Sequence, residues 1–251
     1  MDPDVRSAAP GQCRKCGMKL VAGIPDPREF SVEMRLQPRV PVPGRPLRMT
    51  FALRDPKTGK FAHLQVIHEK LIHLFIVSAD LGYFAHEHPK LQPDGTFVYI
   101  ATLPHAGEYR ALCDFYPETA TPQMIARTFY VPGEHRPAPL LPDLGAQTAS
   151  NLQVSLRTDP VRARAGNKTM LFFTLDPSDG LEPYLGAWGH MLAASSDLID
   201  LIHTHPAWEN KSDTIQFNLI FPRPGIYRVW VQFQRLGIVN TVAFNVPVEQ
   251  V

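Results

Sequence analysis

The chain reads as all-β: two tandem antiparallel β-sandwiches behind a short N-terminal ribbon. Three observations predict this. From Phe30 onward, short apolar runs alternate with turn residues at a spacing of roughly 8–12 residues, the rhythm of a sandwich. The pattern over residues 73–89 returns over residues 190–206, so the chain holds two related modules. The 25 prolines, about twice average usage, favour loops and sheet edges over helices.

Residues 1–27 are polar and cysteine-bearing and too few to bury a core. The first sandwich is expected over 28–134, with strands at Leu47–Leu53, Leu71–Val77, Thr96–Leu103, Glu108–Phe115 and Ile125–Val131. Pro132–Pro142 reads as extended linker chain, and the Pro-rich connection is set at 135–150. The second sandwich, 151–251, resumes with Leu152–Leu156, Met170–Leu175, Met191–Ala194, Ile215–Phe221, Tyr227–Phe233 and Val239–Val246. Leu103-Pro-His-Ala-Gly107-Glu-Tyr109 also matches Phe221-Pro-Arg-Pro-Gly225-Ile-Tyr227. Gly-x-Tyr entering a strand has the form of a tyrosine corner, which makes each sandwich immunoglobulin- or cupredoxin-like.

A formal net charge of +1 gives no basis for binding nucleic acid or an anionic membrane. No stretch approaches the ~20 apolar residues of a membrane-spanning helix. Three cysteines, Cys13, Cys16 and Cys113, are too few for a disulfide scaffold. Cys113 matches Val231 and reads as a small buried hydrophobe.

The repeated motif is His, twelve residues, then His-x-His-Pro: His73, His86 and His88 in the first copy, His190, His203 and His205 in the second. If Ser78–Leu81 is a hairpin loop, His73 faces His86. With Ser195–Leu198 as loop, His190 faces His203. Opposite residues have Cβ atoms about 4.5–5.5 Å apart, and a residue two further on lies on the same face, about 6.5–7 Å away. Three imidazoles thus converge in each hairpin, and Pro89 and Pro206 end the strand beyond them. Such a trio suits zinc or copper with one position open. It would equally serve as a hydrogen-bonded brace of a buried loop. Asp114, matched by Gln232, is a candidate to orient a ligand. His68 and Glu69 read as an exposed loop that could extend the first site, and His63, His105 and His135 as surface residues.

Near the start, Cys13-x-x-Cys16 followed by Gly17 and Met18 is a soft thiolate pair able to hold Cu(I) or Zn. Residues 1–20 resemble the small heavy-metal-binding domain of bacterial copper/silver efflux adaptors and some copper-transporting P-type ATPases, in the stretch Pro10-Gly-x-Cys13-x-x-Cys16-Gly-Met-x-Leu20. The resemblance places Cys13 and Cys16 on that family's metal-site cysteines. Asp2 stands where the family has His, Arg14 where it has Pro, and the family's preceding Tyr-x-Cys-Pro is missing. Met1 is therefore expected to be internal, with a signal peptide and a further cysteine upstream in the natural protein. The two repeats also resemble modules of secreted bacterial proteins that join this segment to immunoglobulin-like sandwiches.

The function expected is extracytoplasmic (periplasmic or secreted) binding of a transition-metal ion, copper or alternatively zinc, in efflux, sequestration or delivery, with metal-efflux machinery as a candidate partner. The alternatives are an interaction protein whose histidines only brace loops, and a zinc hydrolase. The hydrolase lacks a base near the histidines, since His-x-His alternation turns Glu87 to the opposite face.

Overall fold

The structure, a computed structural model, describes residues 7–15, 17, 20, 28–118, 120–206 and 212–250. Among them every regular element is a strand. The first sandwich holds β1 (Ser31–Gln37), β2 (Pro46–Arg54), β3 (Ile72–Ser78), β4 (Phe84–Glu87), β5 (Lys90–Leu91), β6 (Phe97–Thr102), β7 (Gly107–Phe115) and β8 (Gln123–Val131). They form two sheets, β1-β2-β6-β5 and β4-β3-β7-β8. The second holds β9 (Gln147–Thr148), β10 (Gln153–Asp159), β11 (Ala163–Arg164), β12 (Lys168–Asp176), β13 (Leu181–Glu182), β14 (His190–Ser195), β15 (Leu201–Thr204), β16 (Thr214–Ile220), β17 (Gly225–Arg235) and β18 (Ile238–Glu249). Its sheets are β16-β12-β10-β9 and β11-β18-β17-β14-β15.

Alternation along each strand fills the cores. Leu47, Met49, Phe51 and Leu53 of β2 face Leu74, Ile76, Ala111 and Cys113, and Leu171, Phe173 and Leu175 of β12 face Met191, Val229 and Val231. Cys113 is buried in the first core, as its match to Val231 implies. Both tyrosine corners form. The Tyr109 hydroxyl donates to the His105 carbonyl at 2.8 Å, and the Arg223 amide donates to the Tyr227 hydroxyl at 3.3 Å.

Two strands break the half-buried pattern: every residue of β3 and of β14 is buried. A strand buried on both faces must be packed between two layers. One face of β3 (Ile72, Leu74, Ile76) meets its own core. The other (Phe75, Val77) meets Leu192, Ala194 and Trp230 of the second module in a separate apolar cluster. Phe84 stacks on Trp230 across this joint, centroids 5.0 Å apart. The β4-β3-β7-β8 sheet and the β14–β17 sheet therefore pack back to back. The linker runs extended but tied: Asp143 and Asn245 exchange backbone hydrogen bonds at 2.8 and 2.9 Å, and Leu140 packs on the joint.

The hairpin register differs from the one expected. His86 lies across from Phe75, not His73, and His203 across from Leu192, not His190. The cause is the turn. The Ser78 hydroxyl accepts from the Tyr83 amide at 2.8 Å and donates to Asp80 at 2.5 Å, so the loop closes two positions later than a Ser78–Leu81 loop would. Ser195 does the same with Asp200 and Asp197 at 2.9 and 2.6 Å. A slip of two residues keeps each side chain on its face, so the histidines still converge.

Candidate metal centre

The histidine faces of the two hairpins are also the faces that form the joint. The trios expected as two separate sites, one per sandwich, therefore lie against each other in a single cluster. Ring centroids within the first trio are 4.8–5.3 Å apart, and within the second 4.6–6.1 Å. Between trios, His86 is 5.4 Å from His190 and His73 is 5.7 Å from His203. Two imidazoles sharing a tetrahedral ion at about 2.0–2.1 Å would hold their nitrogens about 3.3 Å and their ring centres roughly 5 Å apart. One nitrogen from each member of a trio lies within 4.8 Å of the others.

The outer nitrogens are occupied in matched ways. His73 Nε2 is 3.0 Å from the Ile67 carbonyl, and His190 Nε2 is 2.9 Å from the Tyr184 carbonyl. A carbonyl only accepts, so both Nε2 atoms carry the proton and both Nδ1 atoms present a lone pair. These carbonyls sit in matched two-residue turns, closed by Ile67 with Lys70 and by Tyr184 with Ala187. The central residues, His68-Glu69 and Leu185-Gly186, all have positive φ, as a type I′ turn requires.

The second histidines are held from across the joint. His86 Nδ1 is 2.7 Å from Gln232 Oε1, and His203 Nδ1 is 2.5 Å from Asp114 Oδ2. Gln232 directs its amide nitrogen to Thr241 at 3.0 Å and its oxygen to His86. Asp114 pairs in register with His73 on the neighbouring strand, and Gln232 with His190. Each module thus orients a histidine of the other.

One consequence is electrostatic. His73 Nδ1 and His86 Nε2 lie 3.0 Å apart, yet the proton of each ring is on its other nitrogen. In that arrangement two lone pairs face each other and can share a cation. A proton is poorly suited. Burial pushes His73 down to about 4, His88 and His190 to about 3 and His205 to about 2, and holds His86 far below the usual imidazole range. His88 Nε2 and His203 Nε2 are buried without a hydrogen-bond partner. Inward lone pairs, outer nitrogens held by acceptors and orphaned buried nitrogens are compatible with holding a metal ion. The trios fit zinc or copper.

His68, read as an exposed loop residue that could extend the first site, lies closer to the second trio, 3.8 Å from His205 and 5.5 Å from His190, than to His73 at 6.4 Å. A ring spacing of 3.8 Å is too close for both to ligate one ion, so His68 covers the second trio by stacking. Its positive φ is the signal a sequence does not display. Glu87 sits across from Leu74 on the face away from the histidines, as alternation requires. Cys13 is buried, and the Gly17 amide donates to its carbonyl at 2.7 Å in a tight turn. Cys16 lies outside the described residues. Asp80, His105 and His135 form a third group: His135 Nε2 is 2.8 Å from Asp80, and the His105 and His135 rings stack at 3.7 Å. The matched place in the second module holds Arg223 against Asp197 and Asp200.

The family model "Domain of unknown function (DUF8832)" matches residues 28–132 and again 147–250. The chain belongs to this family. Each sandwich is one copy of the DUF8832 domain. The model for a heavy metal binding domain matches residues 1–22, over the cysteine-bearing ribbon. No curated protein matches the chain. Among solved structures it is similar to the Escherichia coli adhesin FdeC, at 15% identity and TM-score 0.31, over 91% of this chain and 67% of that one. It is also similar to Salmonella alpha-2-macroglobulin, at 12% and 0.30, over 91% of this chain and 15% of that one. Fibronectin(III)-like modules of Clostridium thermocellum CbhA match at 9% and 0.24, over 88% of this chain and 95% of theirs.

Proposed function

We propose that the tandem DUF8832 domains bind two transition-metal ions in the joint between them, and that the protein works outside the cytoplasm in copper efflux, sequestration or delivery. His73, His86 and His88 hold one ion; His190, His203 and His205 hold the other; Cys13 and Cys16 hold a third in the ribbon. The observation that carries this reading is the 3.0 Å approach of His73 Nδ1 and His86 Nε2 with both outer nitrogens already donating. Copper heads the candidates because it tops the affinity order and accepts both imidazole and thiolate, with zinc next. The match of residues 1–22 to a heavy metal binding domain supports a metal-handling role.

The test is elemental analysis after dialysis of protein carrying Cys13→Ser and Cys16→Ser, supplied with micromolar copper or zinc at neutral pH. Two ions per chain are expected, and H86A/H88A should retain one. The bracing reading is favoured by the cross-joint bonds His86–Gln232 and His203–Asp114. It predicts a metal-free wild type whose melting temperature drops in the same double variant.

A further inference from the structure

The two trios match in every ligand position but not in charge. The acceptor across the joint is an amide for the first trio and a carboxylate for the second. Asp114 is 7% exposed, and its Oδ2 is 2.5 Å from His203 Nδ1. The outer partners of His73 and His86, the Ile67 carbonyl and Gln232 Oε1, are both uncharged. Lys70 adds positive charge near His88. Asp114 is also the strand neighbour of His73, but its oxygen is directed to His203.

We propose that the centre is an unequal pair. The trio of His190, His203 and His205 takes a divalent ion first, and the trio of His73, His86 and His88 is suited to a monovalent soft ion of the Cu(I) class. This rests on the metal reading above. A divalent ion on three neutral imidazoles brings its full charge into a poorly solvated joint, where an uncompensated charge is costly. Asp114 supplies a counter-charge and strengthens His203 as a donor. The charge of Asp114 also reaches His73, but its hydrogen bond goes to His203 and the cross-joint acceptor of the first trio is neutral, so a singly charged ion is the smaller burden there. Mutual repulsion acts in the same direction. The rings of the two trios approach to 5.4 Å, so a second divalent ion would sit close to the first, while a monovalent neighbour is repelled half as strongly.

The experiment uses the full chain with Cys13→Ser and Cys16→Ser, titrated with Zn(II) or with Ag(I), a redox-silent monovalent probe, against a competing chelator. The first zinc should bind at least about tenfold tighter than the second. H205A should remove the tight step and H88A the weak one. Two silver ions should bind with a smaller separation. D114N, which keeps a hydrogen-bond acceptor, should weaken the first zinc step about 10–100-fold and change silver binding far less. Q232E gives the first trio its own carboxylate and should tighten the weak zinc step, which keeps the test decisive even if D114N folds poorly. Equal zinc steps, a tight step lost in H88A rather than H205A, or Q232E without effect on the weak step would overturn the pairing. No zinc or silver bound by the six intact histidines would overturn the metal reading itself.

Discussion

The two modules use one framework and dress it differently. Both hairpins close through a serine-capped turn, both place a histidine against a backbone carbonyl, and both tyrosines bond back four residues. The differences lie where the modules meet or where the linker lands. Asp114 stands opposite Gln232, the His68-Glu69 turn opposite Leu185-Gly186, and the stacked His105–His135 pair opposite Arg223. Core positions tolerate little change because packing and register constrain them. The joint and the corner instead carry distinct charges on an unchanged frame. A duplicated fold thus carries one asymmetric histidine cluster.

The largest effect expected is at the joint itself. Phe75, matched by Leu192, stacks on His86 at 4.3 Å and lies 4.8 Å from His203. Phe75→Ala should cost about 3–5 kcal/mol in denaturant unfolding and weaken metal binding at both trios. Loss at the first trio alone would mean that the two act independently.

Next is pH. The histidines with depressed pKa stay neutral when folded but protonate near 6.5 when unfolded. Their stability contribution is complete above 6.5 and is lost as pH falls toward their folded values of about 4 to 2. The melting temperature of metal-free protein should therefore fall by at least ~4 °C between pH 7 and pH 5. A flat profile would remove the buried neutral cluster from the comparison.

The corners differ more subtly. Tyr227 also donates to Asp200 at 2.5 Å, whereas Tyr109 bonds to the His105 backbone. Tyr109→Phe should cost about 1 kcal/mol and Tyr227→Phe about 1.5–3 kcal/mol, measured as unfolding free energies. Equal costs would make the Asp200 bond incidental. The smallest effect belongs to the linker contact. His135→Ala removes a part-exposed hydrogen bond with Asp80 and should change stability by less than ~1 kcal/mol, with metal stoichiometry unchanged.

Residue spacing alone yielded the all-β class, the tandem sandwiches and the shared face of the histidines, because side chains alternate with a period of two. It also placed Cys113 in the core and marked Asp114 and Gln232 as matched partners near the ligands. It could not settle the hairpin register. That depended on Ser78 and Ser195 hydroxyls closing longer turns, and a two-residue slip leaves no trace in the hydrophobic pattern. That the two trios adjoin in one cluster follows from tertiary packing. The unbroken apolar runs Ile72–Val77 and Met191–Ala194 imply burial on both faces, but not what does the burying. The partner of each run is more than a hundred residues away in the chain. Contact across that distance is set by the complementarity of two folded surfaces, which no local spacing encodes.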